Sequence, residues 1–145
     1  MKKQISTSYL VIIIIGLITA VPKLGDFVDV FRLLTLISLG FSFFILLKQP
    51  KGPIKKTGAL LMLISCLLSL IGEAFLRILA YVQLQSIINN SLGGDLSGYA
   101  PIFVIIQGII ILLFIFSSWI IKIVSIIFSF ITYGKLNNSD SQHNH

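Results

Sequence analysis

Residues 101–133 read PIFVIIQGIIILLFIFSSWIIKIVSIIFSFITY, and Lys122 is the only charged residue among them. A soluble core does not need an unbroken apolar run of this length, whereas a bilayer does. As a helix rising about 1.5 Å per residue it would be about 50 Å long. The hydrocarbon core it would cross is only about 30 Å thick. No turn signal divides the run, so it cannot make two spans. The reading is one helix that tilts, bends or lays one end in the interface. Pro101 is a favourable first residue for it.

Three further runs precede this one. Residues 58–84 are apolar apart from Glu73 and Arg77, and Thr57 could cap them. Residues 30–47 form a run of about 27 Å with Asp29 as a candidate N-cap. Residues 5–21 are rich in isoleucine, which in water would suggest a strand. In lipid a lone strand leaves its backbone unpaired, so a helix is predicted here too. Lys2 and Lys3 before it resemble the start of a signal peptide, with Ala20 as the residue before cleavage. Ile18 is a poor small-residue match, so an uncleaved anchor is expected. Pro22 and Gly25 end that helix.

These runs predict an all-α polytopic membrane protein: four transmembrane helices in an antiparallel bundle over residues 1–134. Residues 135–145 are expected to form a polar, disordered cytoplasmic tail. The chain of 145 residues suffices for one compact unit. It is 56% hydrophobic and 11% charged, against about 25% charged in a soluble domain. The net charge of +6 does not point to nucleic acid, because the basic residues lie at the ends of apolar runs. Cys66 is the sole cysteine and reads as a small buried apolar residue.

Charge placement gives the orientation. With the amino terminus inside, Lys2, Lys3, Lys48, Lys51, Lys55, Lys56 and Lys135 are cytoplasmic. Only Lys23 is left in the outer loops, with Asp26, Asp29 and Asp95. This bias predicts a multi-pass protein of the cell membrane with both termini cytoplasmic. Tyr81 and Tyr99 then fall at the outer interface, and Tyr9 and Tyr133 at the inner one. Isoleucine and lysine richness suggests a bacterial source.

An ionisable residue inside a span is costly and is a functional candidate by default. Glu73 and Arg77 are four apart and share a helix face. From Gly58, Glu73 lies about 22 Å along its helix, beyond the midplane. Arg32 is expected in the same layer. The cluster reads either as a proton or cation site or as a charge-compensated packing clamp, and the clamp is favoured. Polar stripes come next. Ser65 and Ser69 continue toward Glu73 at intervals of four, Thr35, Ser38 and Ser42 mark the second run, and Gln107, Ser118, Lys122, Ser125 and Ser129 share a face of the fourth. They read as a polar pathway or, preferably, as hydrogen-bonding glue between helices. Gly16 and Ala20 are a small-residue pair of the same kind. Lys122 is expected to snorkel to the cytoplasmic interface. Lys48, Lys51, Lys55 and Lys56 read as topology determinants or lipid-headgroup contacts, and Trp119 as packing or lipid contact.

Other signals are weak. His143 and His145 are two ligands without a third. Gly93-Gly94-Asp95 lacks the Lys-Ser/Thr of a phosphate loop, and Asn89 begins a glycosylation triplet that matters only in a eukaryotic secretory route. No cofactor, metal or catalytic set is expected. The favoured function is a non-enzymatic accessory, immunity or envelope-associated role. Its partners would be the lipid bilayer and either another membrane protein or further copies of the chain. The alternative is a small oligomeric proton- or cation-coupled transporter or channel using Glu73.

Overall fold

The computed structural model describes residues 2–21, 32–50, 52, 54–91 and 100–141, with side chains described outside 86–91, 100–104 and 139–141. Among the described residues the fold is all-helical: α1 (Lys2–Ala20), α2 (Leu33–Lys48), α3 (Thr57–Ser91) and α4 (Ala100–Ser141). Three helices are long and apolar enough to cross a membrane: α1, α3 over Thr57–Gln85 and α4 over Ile105–Asn138. The fourth, α2, is apolar but has only 16 residues, about 24 Å of helix.

Three boundaries differ from expectation. First, α2 begins at Leu33 rather than at residue 30. Arg32 occupies its N-cap position with φ 56° and makes no side-chain cap. A left-handed non-glycine residue costs about 1–2 kcal/mol and breaks the helical run before Leu33. The expected cap, Asp29, lies outside the described residues, as do Pro22, Lys23, Gly25, Asp26, Lys51, Gly93-Gly94-Asp95, Tyr99, His143 and His145. Second, α3 extends past residue 84 to Ser91. Third, α4 runs to Ser141, so the expected disordered tail is helical over most of its length. Lys135, Asn137 and Asn138 each lower helix propensity by under about 0.7 kcal/mol. Contacts offset this: Leu136 is buried, and Asn137 Oδ1 accepts a hydrogen bond from Ser6 Oγ at 3.0 Å.

The chain forms two compact units. Unit 1 is Met1–Leu67 with Ser118–His145, and unit 2 is Leu68–Ser117. Within unit 1, Ser6 meets Asn137, Gly16 packs on Ile126, and the Trp119 indole N–H donates to the Ala20 carbonyl at 2.8 Å. Residue numbers rise along α1 as they fall along α4, so the two helices are antiparallel. The first turns of α3 are likewise antiparallel to α4: Ser125 bonds to Gly58 and Ser118 to Ser65. The start of α1 therefore lies beside the end of α4. Helix α2 packs along α1. The core joins Ile5, Tyr9 and Ile12 of α1, Ile45 of α2, Ala59, Met62 and Cys66 of α3, and Leu136 of α4. Unit 2 contains the remainder of α3 and α4. There, Gly72 packs against Phe114 and Ile115, and Ile111 is buried.

Candidate functional site

The tightest packing lies between α3 and α4 in unit 1. A Cβ at Gly58 would sit 2.6 Å from the Ser129 backbone nitrogen and 2.8 Å from its Cα, so only glycine fits. Close approach of this kind is what small residues permit between helices in lipid. It also places hydroxyls within reach of the opposite backbone. Ser125 Oγ donates to the Gly58 carbonyl at 2.7 Å. Two turns further along the seam, the bonding is reciprocal. Ser65 Oγ donates to the Ser118 carbonyl at 2.8 Å, and Ser118 Oγ donates to the Ser65 carbonyl at 2.9 Å. These carbonyls already accept within their own helices, so each hydroxyl is satisfied without opening a helix.

The spacing explains the pairing. Gly58 and Ser65 are seven apart, as are Ser118 and Ser125. A seven-residue repeat keeps one face toward a neighbouring helix that crosses at a shallow angle. Sequence reasoning counted intervals of four along residues 65–77 and so passed over Gly58, the closest contact. The repeat was present in the sequence as a signal. Ser129 Oγ, beside Gly58, and Ser38 Oγ on α2 are buried without a hydrogen-bond partner among the described residues. Ser42 on the same α2 stripe donates back to the Ser38 carbonyl at 2.8 Å.

The predicted polar residues thus divide. Ser65, Ser118 and Ser125 come together. Lys122 lies on the same face of α4 and is buried, 8% exposed, rather than snorkelling along an outer surface. Its position between Ser118 and Ser125 turns it inward with them. Ser69 and Gln107 belong to unit 2, where both are half-buried and neither makes a side-chain hydrogen bond among the described residues.

A second constellation ties α2 to α1. The Tyr9 hydroxyl, fully buried, donates to Gln49 Oε1 at 2.8 Å. Gln49 Nε2 donates to the Ile54 carbonyl at 3.0 Å, and the Gln49 backbone N–H closes α2 on the Ile45 carbonyl at 2.9 Å. Lys56 Nζ donates to the Leu46 carbonyl at 2.8 Å, where a cation complements a helix C-terminus. Tyr9 is therefore a core residue and not part of an interfacial belt. Gln49 was not singled out by sequence, because a glutamine before a proline carries no pattern that marks it as a buried hub. Of the basic loop, Lys48 and Lys55 are exposed, and Lys56 holds the end of α2.

Glu73 and Arg77 do pair, with Arg77 Nη2 to Glu73 Oε1 at 3.0 Å. The bond lies on the surface of unit 2: the Arg77 side chain is 71% exposed and that of Glu73 22%. Exposed Phe75, Leu76 and Ile78 surround it in sequence. Arg32 belongs to unit 1. Among the described residues no three His, Cys, Asp or Glu side chains gather as a metal site. Cys66 is buried and forms no disulfide among the described residues.

The chain matches no protein-family model, no curated protein and no solved structure. Its reading rests on the geometry above.

Proposed function

We propose that the chain is an integral protein of the cell membrane, inserted as a helical bundle, with a non-enzymatic role exerted through contacts with lipid and with other helices. The observation that carries this reading is the reciprocal Ser65–Ser118 pair. The hydroxyls of this polar stripe are bonded to the backbone of the opposite helix, as expected of glue between helices. The outward faces support insertion. Leu33, Leu47, Leu112 and Phe130 are each at least 60% exposed, and such a surface suits hydrocarbon rather than water. The start of α1 and the end of α4 lie together, which fits both termini on one side. The lysines near these ends and in the 48–56 loop make that side the cytoplasm under the positive-inside rule. A bacterial envelope accessory or immunity protein, paired with a membrane protein or with itself, fits this description.

The transporter alternative needs Glu73 to face a water-filled path. Its intrahelical bond to Arg77, on an exposed face, favours a contact role instead. The deciding experiment is ion and proton flux through liposomes containing the purified protein, wild type beside Glu73→Gln. The contact reading expects no flux from either protein when both are folded. Flux that disappears in the variant would overturn it.

A further inference from the structure

A groove of about 850 Å³ runs between α1 and α2 in unit 1. Its two walls differ in chemistry. Lys3, Gln4 and Thr7 line it from α1, and Gly40, Phe41 and Phe44 line it from α2. On the α1 side, the Thr7 hydroxyl donates to the Lys3 carbonyl at 2.9 Å, so its own donor is used. Lys3 and Gln4 make no side-chain hydrogen bond or ion pair among the described residues, and both are exposed. That wall therefore offers an ammonium and an amide at the amino-terminal end of α1. The other wall offers two half-buried phenyl rings beside a glycine. A Cβ at Gly40 would meet nothing within 4 Å, so the floor of the groove is open there.

We propose that this groove holds one anionic phospholipid, with its phosphate at Lys3 and Gln4 and one acyl chain laid over Gly40 against Phe41 and Phe44. The argument is complementarity. A cation next to an aromatic, apolar trough suits a molecule with an anion at one end and a methylene chain behind it. A soluble anion would leave the phenyl wall unused, and a neutral lipid would leave Lys3 without a counter-charge. Basic pockets between helices on the cytoplasmic side are a recognised form of headgroup site. This inference rests on the membrane reading above and differs from it in naming a single seat.

The test uses the full chain reconstituted in vesicles of equal parts phosphatidylcholine and phosphatidylglycerol. Trace phosphatidylglycerol or phosphatidylcholine with a nitroxide on one acyl chain reports the immobilised fraction by electron spin resonance. Wild type is expected to immobilise phosphatidylglycerol in preference to phosphatidylcholine. A Cβ at Gly40 meets nothing within 4 Å, so Gly40→Leu puts a side chain into the groove while favouring the helix, and it should remove the phosphatidylglycerol preference and leave only the non-selective boundary lipid of the apolar helix faces. Lys3→Gln should keep chain immobilisation but lower the phosphatidylglycerol preference by about fivefold, the worth of roughly one lysine at an anionic surface. Equal immobilisation of the two probes by wild type overturns the proposal. So does a preference that survives both variants but is lost in Lys48→Gln/Lys55→Gln, which would move the site to the basic loop. Extraction with alkaline carbonate separates the two readings. Protein stripped from the vesicles sinks both, whereas protein retained without lipid preference sinks only this one.

Discussion

The serines of unit 1 and the ion pair of unit 2 are satisfied in different ways. In unit 1, α3 and α4 turn Ser65, Ser118, Ser125 and Lys122 inward and leave leucine, isoleucine and phenylalanine outside. In unit 2, Gly72 and Ile111 are inside, and the Glu73–Arg77 pair is on the surface. The difference follows from how each group is satisfied. A serine hydroxyl bonds to the carbonyl of the opposite helix, so its bond also joins the helices. An ion pair four residues apart is closed within one helix and needs no neighbour. Inward hydroxyls therefore couple α3 to α4 in unit 1, while in unit 2 the Glu73–Arg77 bond is closed along α3 itself.

The strongest way to break this comparison is at Gly58. Gly58→Leu would drive a side chain into the Ser129 backbone. It should lower stability in detergent by about 1–3 kcal/mol or more, the range for overpacked sites. A thermal midpoint equal to wild type would show that α3 and α4 do not approach as closely as described. Next is Tyr9→Phe, which deletes the buried donor to Gln49 and leaves Oε1 unmatched. A loss of about 1–2 kcal/mol is expected, measured by the same melting curves. Hydrogen exchange should also speed up in residues 45–56, since Gln49 anchors that segment, and unchanged exchange there would argue against the hub.

Ser118→Ala sharpens the comparison further. It removes one of the two reciprocal bonds, and hydrogen bonds between helices in membranes average about 0.6 kcal/mol. In a double-mutant cycle with Ser65→Ala the two changes should be non-additive. Additive effects would mean the pair does not act as a unit. The smallest effect belongs to unit 2. Breaking the exposed pair with Arg77→Gln should change detergent stability by no more than about 0.5 kcal/mol. A larger loss would place Arg77 in a packing role that the first comparison denies it.

Much of this was legible in the residues. The long apolar runs announce helices, and the inward serines were singled out as glue because hydroxyls recur on one face of 107–129. The Glu73–Arg77 bond follows from spacing alone. The seven-residue rhythm of Gly58 and Ser65 is also present in the sequence, overlaid by the four-residue rhythm of Ser65, Ser69, Glu73 and Arg77. Other features left no trace. Gln49 looks like any loop residue until α1 brings Tyr9 to it. Arg32 gives no sign of a left-handed backbone. The end of α4 reads as a polar tail because local composition cannot register that Ser6, some 131 residues away in sequence, supplies a partner for Asn137.

The sequence by itself determined the elements: unbroken apolar length sets helices long and apolar enough to cross a membrane. Those are properties of single segments, and a segment carries them wherever it packs. Only the tertiary structure decided which hydroxyls meet, that Lys122 turns inward and Arg77 outward, and that a polar and an aromatic wall face each other across a groove. Each of these is a relation between helices far apart in the chain, set by how closely their backbones approach, and no single segment encodes it.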